Sequence, residues 1–313
     1  MDQASHLTYE ESWVPGGGDL LRFYTRTYPA RTPLAALIFV HGFTEHVSRY
    51  EWAHSLLASR GILVFAYDQR GFGRTALDTL HKSEGAGLGR TSWLALLADI
   101  GFWITYVKMK HPTVPIFAMG HSMGGALLLD LATSNLLPSY VQESARMLSG
   151  IIASSPFLAQ TEPLAKPLRH VVAMASKALP TVLVNTELPH SYLSRDADVI
   201  MALSRDPLVK QKSSMRFVTE MLDAGEHLLQ LKHLSVPCGL SVLVLHGTAD
   251  RITSFTASKQ FFDSLDAADK AFVDIPYAYH ELVHEPHGVK EEYMDRCIDW
   301  VLSHSASCHS YHE

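Results

Sequence analysis

The fold of this 313-residue chain is decided by the stretch Met119-Gly120-His121-Ser122-Met123-Gly124-Gly125. It follows an apolar run at 115–118 that predicts a buried strand, and it precedes residues 126–132, which have the composition of a buried helix. A Gly-x-Ser-x-Gly pattern between a strand and a helix predicts a sharp turn that strains the Ser122 backbone and exposes its hydroxyl. The N–H of Met123 would point into the same space. The stretch therefore predicts a nucleophilic serine beside a hydrogen-bond donor.

This pentapeptide pattern also has a plainer interpretation. Three fixed positions recur by chance, and glycine-rich turns between a strand and a helix also bind phosphate or simply connect the two elements. The flanking strand and helix favour the nucleophile. The chemistry needs partners, however, because a serine hydroxyl must lose its proton to a base that a carboxylate orients.

Composition excludes several classes of protein. A hydrophobic fraction of 47% with 19% charged residues is typical of a globular protein, and 313 residues suffice for one large α/β domain with an insertion. The formal net charge of −6 and the lack of a basic cluster in the sequence disfavour nucleic-acid binding.

The cysteine content and the lack of a recognisable targeting signal in the sequence predict a cytoplasmic protein. Cys238, Cys297 and Cys308 are too few for a disulfide framework, and an odd number favours a reducing compartment. The first residues lack the order of a signal peptide, and no apolar run approaches the roughly 18 residues of a membrane-spanning helix. We expect a soluble protein that can still touch a membrane surface. The sequence gives no indication of its oligomeric state.

Buried strands alternate with helices along the chain, which predicts an α/β fold. Helical patterns occur at 49–60 and 93–110, and the stretches 9–14 and 20–28 predict an antiparallel hairpin. This order predicts a mostly parallel central sheet with helices on both faces and with ligands at the carboxyl ends of the strands. The predicted buried strands lie at 34–40, 62–67, 115–118, 150–154, 240–246 and 272–275.

One segment interrupts this alternation. Residues 158–236, here called the cap segment, show helical spacing without a buried strand, so we expect an all-helical insertion over the carboxyl ends of the strands. The core would then consist of residues 1–157 and 237–313. Apolar stripes of the cap segment either pack against the core, or line an acyl channel or meet a membrane, and both interpretations stay open.

The partners of Ser122 should follow it in the order acid and then histidine. Asp250 stands just past the strand at 240–246, and His280 stands just past the strand at 272–275. Both would project at the edge of the sheet that carries Ser122. We therefore predict a catalytic triad of Ser122, Asp250 and His280.

Stabilising the developing oxyanion requires two convergent N–H donors. Met123 supplies the first by its position after Ser122. The second should come from the loop after the strand at 34–40, and the amide of Phe43 is the candidate because it follows a glycine opposite the turn.

A competing interpretation assigns His280 to a metal. The stretch His280-Glu281-Leu282-Val283-His284 matches the His-Glu-x-x-His motif of zinc enzymes, which requires both histidines on one face of a helix. Here a strand and a loop precede the first histidine, and Pro286 follows the second, so the helical context is poorly met. We expect no metal site and no cofactor.

These motifs together resemble those of the monoacylglycerol lipases, and of the fungal members in particular. The resemblance covers about residues 9–302 and implies an α/β-hydrolase fold with a helical cap. It implies hydrolysis of a monoacylglycerol to fatty acid and glycerol through an acyl-enzyme, by a protein that visits lipid droplets or membranes. The motifs are His41-Gly42-Phe43-Thr44-Glu45-His46 with Arg49-Tyr50, Asp68-Gln69-Arg70-Gly71-Phe72-Gly73, Gly120-His121-Ser122-Met123-Gly124-Gly125, Gly247-Thr248-Ala249-Asp250-Arg251 and Tyr279-His280.

The resemblance also implies contacts with the glycerol end of the substrate. Glu45 and Arg49 match positions near that end of the pocket, although an ion pair at a helix start explains them equally well. Mammalian members place a second histidine three residues after the catalytic one and a cysteine shortly after the triad aspartate. Here the corresponding candidates are His284, four residues on, and Thr253.

Other functions stay open at this point. A lysophospholipase, an acyltransferase or a general carboxylesterase would use the same triad on a different ester. A chain of a different class would keep the hydrolase fold and only bind a ligand or a partner protein.

Overall fold

An eight-stranded sheet forms the centre of the computed structural model, which describes residues 9–19, 21–231 and 234–307. The expectations for the first eight residues and for Cys308 lie outside the described residues. The described strands are β1 (Glu10–Pro15), β2 (Arg22–Tyr28), β3 (Ala35–Val40), β4 (Ile62–Tyr67), β5 (Ile116–His121), β6 (Gly150–Ser154), β7 (Leu183–Asn185), β8 (Lys212–Ser214), β9 (Leu234–Ser235), β10 (Ser241–Gly247), β11 (Leu265–Asp266) and β12 (Lys270–Ile275).

Ten α-helices accompany these strands in the described part of the chain, and short 3₁₀ turns lie at Val47–Tyr50, His190–Tyr192 and Leu282–His284. The polar, glycine-rich stretch up to residue 89 predicts a loop, but a short helix at Gly73–Leu77 lies within it. The helices are α1 (Glu51–Ser59), α2 (Gly73–Leu77), α3 (Trp93–Lys110), α4 (Met123–Thr133), α5 (Ser139–Ala145), α6 (Lys166–Ala178), α7 (Ala197–Arg205), α8 (Met215–Gln230), α9 (Phe255–Ser264) and α10 (Val289–Ser307).

The sheet has the strand order β1-β2-β4-β3-β5-β6-β10-β12. The predicted hairpin of β1 and β2 is antiparallel and joins β4 antiparallel, and every later pairing in this sheet is parallel. The mostly parallel α/β-hydrolase fold expected from the sequence is confirmed.

Both faces of the sheet are covered by helices. Strands β3, β4 and β5 are buried along their whole length, because α3 and α4 pack against one face while α1 and α10 pack against the other. This explains why these strands read as continuous apolar runs rather than as alternating patterns.

The turn between β5 and α4 brings two backbones into unusually close contact. A Cβ added to Gly124 would lie 2.1 Å from the carbonyl oxygen of Val40, and a Cβ added to Gly120 would lie 2.3 Å from the carbonyl oxygen of Gly124. Glycine is therefore required at both positions. The close contact sets the start of α4 directly against the end of β3.

The expectation that the cap segment is entirely helical is wrong at two points. Helices α6, α7 and α8 lie in it, but β7 and β8 pair antiparallel within it, and β9 pairs with β11 of the core. Strands of two or three residues are too short to show a two-residue periodicity. The boundaries at residues 158 and 236 stay a prediction.

Two amphipathic helices of the cap segment differ in how they use their apolar side chains. In α8, Phe217, Met221 and Leu228 are buried in the main core. In α6, Leu168 and Val171 are 51% and 61% exposed. None of the helices formed by the described residues is both long enough and apolar enough to cross a lipid bilayer.

We predict that Gly124→Ala lowers the free energy of unfolding by about 3 kcal/mol or more, because the added methyl group must displace the Val40 carbonyl. Gly18→Ala is the matched control, since a Cβ there meets no atom within 4 Å. It should change the free energy of unfolding by less than about 0.5 kcal/mol. Urea denaturation measures both, and equal stability of the two variants would contradict the close contact.

Candidate active site

Ser122 occupies a strained position between β5 and α4. Its φ angle is +53°, in the left-handed region that disfavours residues with a side chain. Three backbone hydrogen bonds hold this conformation: the Ser122 N–H donates to Ser154, and the Ser122 carbonyl accepts from Ala126 and Phe157. Strain of this kind persists where the surroundings fix it, and it is common at functional sites.

Asp250 and His280 are brought together by two adjacent parallel strands. Asp250 follows β10, His280 follows β12, and the Nδ1 atom of His280 lies 2.8 Å from the Oδ2 atom of Asp250. The other carboxylate oxygen of Asp250 accepts the backbone N–H groups of Ile252 and Thr253 at 2.7 and 3.0 Å. The carboxylate is therefore fixed from both ends.

The two groups also shift each other's proton affinity. Burial alone would raise the pKa of the Asp250 carboxyl, but the charge of His280 and hydrogen bonds from two histidines hold it well below its usual range. Burial alone would lower the pKa of the His280 imidazole. The charge and hydrogen bond of Asp250, with Glu281 and Glu45, outweigh burial and raise it. This arrangement favours a carboxylate beside an imidazole that accepts a proton.

Ser122 and His280 lie on the wall of one cavity of about 50 Å³, here called the inner cavity. Four residues of the cap segment, Leu188, Leu193, Leu203 and Val209, form an apolar part of its wall. A larger cavity of about 890 Å³, here called the outer cavity, shares Leu188, Leu203 and Val209 with it. The two cavities therefore adjoin each other beneath the cap segment.

The predicted oxyanion donors lie next to Ser122. A Cβ added to Gly42 would be 3.3 Å from the Ser122 Cβ, which places the loop after β3 against the turn, and Phe43 lines the inner cavity. Met123 is the first residue of α4, so its N–H has no acceptor within the helix. The assignment of both N–H groups stays a prediction, and their positions agree with it.

Glu45 and Arg49 form part of a buried charge network. The guanidinium of Arg49 contacts Glu45 Oε2 at 2.5 Å and binds both carboxylate oxygens of Glu281 at 2.9 and 2.6 Å. Glu45 also accepts the N–H of Gly42 at 2.5 Å. The ion pair considered from the sequence is present, and all three charged groups line the inner cavity. A role in binding glycerol stays a prediction.

His284 lies behind this network. Its Nδ1 is 2.9 Å from Glu281 Oε2, and its Nε2 is 3.0 Å from the carbonyl oxygen of Arg49. Both ring nitrogens therefore face protein atoms, and the predicted contact of His284 with glycerol is not tested by this arrangement.

Sequence reasoning missed Glu281. Its carboxylate and His284 together hold Arg49, and the charge of Arg49 overcomes burial and keeps the pKa of the Glu281 carboxyl well below its usual range. Glu281 is the second residue of the zinc-like motif. The signal that could have identified it was Arg49, a residue of opposite charge that is distant from Glu281 in the sequence.

The zinc-like motif does not form a helix here. Leu282–His284 is a 3₁₀ turn, and His280 and His284 direct their Nδ1 atoms to different acids, Asp250 and Glu281. Across residues 9–19, 21–231 and 234–307, no three His, Cys, Asp or Glu side chains are grouped so that they could hold a metal ion.

Contacts between the cap segment and the core were also missed. The Nε2 atom of His46 lies 2.8 Å from Asp206 Oδ2, and the backbone N–H of Glu281 donates to the carbonyl of Leu193 at 2.8 Å. Ser194 donates its hydroxyl to the carbonyl of His284. The cap segment is therefore bound to the two loops that carry the predicted oxyanion donor and the predicted base.

Comparison with known proteins places the chain among hydrolases. The family model described as serine aminopeptidase, S33, matches residues 31–287. A putative monoglyceride lipase of Schizosaccharomyces pombe is 31% identical over 276 residues, which cover 87% of this chain and 68% of the relative. A monoacylglycerol lipase of Mycolicibacterium smegmatis is 25% identical over 95% of this chain and 98% of the relative.

The fold is shared with a solved structure as well. A soluble variant of monoglyceride lipase from Saccharomyces cerevisiae, in complex with a substrate analog, superposes with a TM-score of 0.83 over 97% of both chains. At 22% sequence identity this likeness establishes the fold.

The raised pKa of His280 predicts the pH dependence of ester hydrolysis. The base must be neutral to accept a proton, so kcat/KM should fall as the pH drops through a midpoint above the ordinary histidine value of about 6.5. Glu281→Gln removes a carboxylate that raises this pKa, so the midpoint should move downward by roughly half a pH unit.

The control for this shift is Asp263→Asn, because Asp263 is an exposed acid on α9 whose side chain is 59% exposed. Its midpoint should match the wild type. Rates that stay constant from neutral pH to about pH 5 would contradict a histidine base with a raised pKa.

Proposed function

The chain belongs to the serine aminopeptidase S33 family of α/β-hydrolases, with monoglyceride lipases among its relatives, and from this premise we propose that it hydrolyses monoacylglycerols to fatty acid and glycerol. One observation carries the proposal. His280 is hydrogen-bonded to Asp250 and lines the same cavity as the strained Ser122. Apolar side chains of the cap segment form another part of the wall of this cavity.

The proposed reaction uses these residues in two steps, acylation of Ser122 and hydrolysis of the acyl-enzyme. Asp250 holds the Nδ1–H of His280, which leaves Nε2 to take the proton of Ser122 as its oxygen attacks the ester carbonyl. The N–H groups of Phe43 and Met123 stabilise the oxyanion. The tetrahedral intermediate expels glycerol, which receives the proton from His280. Water then attacks the acyl-enzyme with His280 again as the base, and the fatty acid leaves.

The inner cavity has two chemically different walls, and they suit the two ends of a monoacylglycerol. Leu188, Leu193 and Leu203 offer an apolar surface to the acyl chain, which can continue into the outer cavity. The carboxylates of Glu45 and Glu281 accept hydrogen bonds from hydroxyl groups, as glycerol would donate. This contrast favours an ester with one long chain and a small neutral alcohol.

The deciding experiment compares the wild type with Ser122→Ala on a substrate panel. We expect the wild type to be most active on a monoacylglycerol and Ser122→Ala to lose at least about 10³-fold in kcat while unfolding at the same temperature. The panel includes a lysophospholipid, a short p-nitrophenyl ester and an aminoacyl anilide, which test phospholipase, general esterase and aminopeptidase activity.

Three outcomes would overturn the proposal. Residual turnover in Ser122→Ala near the wild-type rate would exclude the serine nucleophile. A wild type that prefers another substrate of the panel would reassign the activity. A protein that hydrolyses none of them and fails to react with a fluorophosphonate probe would be a binding protein with a hydrolase fold.

We further propose that the cap segment makes a peripheral contact with a lipid surface, such as a lipid droplet or an endomembrane. Large apolar side chains on and beside α6 face solvent, and clusters of this kind mark binding surfaces. An amphipathic helix whose apolar face is exposed lies naturally in a membrane interface. The exposed apolar residues are Leu164, Leu168, Val171, Met174, Leu179, Val182 and Leu183.

The intracellular location belongs to the same proposal. The two cysteines of the described residues, Cys238 and Cys297, are both free thiols, as a reducing compartment maintains them.

The double variant Leu168→Ser/Val171→Ser should bind vesicles of phosphatidylcholine with monoolein at least roughly tenfold more weakly than the wild type, because two apolar side chains no longer enter the lipid. Its kcat/KM on a soluble short-chain ester should stay within about twofold, since neither residue lines the inner or outer cavity. The control is Leu136→Ser, an exposed leucine between α4 and α5. Equal vesicle binding by all three proteins would contradict the contact.

A further inference from the structure

A second imidazole reaches the carboxylate that serves the predicted base. His246, near the end of β10, is fully buried, and its Nε2 atom lies 3.1 Å from Asp250 Oδ2. This is the same oxygen that receives the Nδ1–H of His280 at 2.8 Å. This carboxylate oxygen is thus contacted by two histidines and by the Thr253 hydroxyl at 2.8 Å, and the proposed reaction uses one of the two histidines.

The surroundings of His246 fix its tautomer. Its Nε2 faces the Asp250 carboxylate and the carbonyl oxygen of Thr253 at 3.2 Å, and both of these groups are acceptors. The hydrogen must therefore sit on Nε2. On the other side of the ring, Nδ1 lies 2.9 Å from the hydroxyl of Ser258 on α9, which is also fully buried and donates to it.

We propose that His246 is a positioning residue of the hydrolytic reaction, which acts by donating its Nε2–H to Asp250 Oδ2 and so fixes the orientation and charge distribution of the carboxylate that His280 uses. Ser258 supports this role because its hydroxyl donates to His246 Nδ1 and so fixes the tautomer of His246. The proposal deepens the proposed function and rests on it, because it assigns a role through the triad.

The physical effect has two parts. The backbone N–H groups of residues 252 and 253 hold the Oδ1 atom of Asp250, while the Thr253 hydroxyl donates to Oδ2 at 2.8 Å and His246 contacts Oδ2 from the side of α9. His246 therefore adds a second restraint on Oδ2, which limits rotation of the carboxylate away from His280. A donated hydrogen bond also draws negative charge away from Oδ2. The attraction between Asp250 and a protonated His280 is therefore weaker than it would be for an unshared carboxylate.

The groups around His280 determine what a pH profile can report. Asp250, Glu281 and Glu45 act on it electrostatically, and the ring of His121 lies 4.8 Å from its own ring. The connection from His246 runs through Asp250 and through the hydroxyl of Thr253, which is 3.4 Å from His246 Nε2 and 3.2 Å from His280 Nδ1. A change at His246 reaches His280 by this route.

The alternative is that His246 only fills space in the core. A matched comparison exists in His54, which is 1% exposed and packs against the rings of Tyr28, Phe39 and Tyr50. Neither ring nitrogen of His54 has a hydrogen-bond partner. Replacing it therefore removes a buried imidazole without removing a hydrogen bond to the triad.

The experiment measures kcat, KM and the pH profile of kcat/KM on p-nitrophenyl butyrate for His246→Leu, His246→Gln and His54→Leu, with melting temperatures for each. We expect His246→Leu to lose about 10–100-fold in kcat with a KM near that of the wild type. Its acid limb should move to higher pH by roughly half a unit, since Asp250 then attracts the His280 proton more strongly. His246→Gln, whose amide N–H replaces the donor, should recover most of the loss.

His54→Leu should leave kcat and the acid limb unchanged, whatever its melting temperature. The proposal is overturned if His246→Leu keeps the kcat and acid limb of the wild type. Should that variant fail to fold, Ser258→Ala decides, because it weakens the same donor: an upward shift of the acid limb supports the proposal, and an unchanged limb overturns it. Failure of the proposed function would appear separately, as a wild type that does not hydrolyse the ester.

Discussion

The whole site depends on one backbone approach, in which Gly124 lies against the carbonyl of Val40 at a distance that excludes any side chain. This contact joins the first turn of α4 to the end of β3. Ser122 is consequently held in its strained conformation beside Gly42 and Phe43. Phe43 and Ser122, the predicted oxyanion donor and nucleophile, are 79 residues apart in the sequence, and the sheet keeps their loops side by side because β3 and β5 are paired neighbours.

Charge is organised around this contact in two separate buried clusters. Asp250 lies between His246 and His280, and Arg49 lies between Glu45 and Glu281. Each charged group in these clusters has a hydrogen-bonding or oppositely charged partner, because an unpaired ion would be strongly destabilising inside the protein. The first cluster contains the predicted base and its acid, while the second gives the inner cavity a polar wall. His280 and Glu281 are consecutive in the chain, so one loop connects the two clusters.

The strands and Ser122 were predictable from local signals, because fully buried parallel strands are continuous apolar runs and the turn after β5 has a recognisable spacing of glycines. Asp250 and His280 were predictable because both follow strands. The pairing of β7 with β8 was not predictable, since three-residue strands carry no periodicity. Glu281 and His246 escaped for another reason. The partner of Glu281, Arg49, is distant from it in the sequence. His246 lies in a buried apolar strand, where its sequence context looks like that of an ordinary core residue.

The hydrogen bond from the Glu281 N–H to the Leu193 carbonyl has a mechanical consequence. Leu193 belongs to the cap segment, while Glu281 adjoins His280, so a displacement that moves Leu193 away from the core would break a bond next to the imidazole. A displacement that moves α7 and the adjoining Asp206 would also separate Asp206 from His46. Closure of the inner cavity by the cap segment and alignment of the His280 imidazole are therefore linked. If the cap segment moved away, the acyl-enzyme would be exposed to solvent while the His280 imidazole was poorly aligned. Hydrolysis of the acyl-enzyme would then be least assisted by its base.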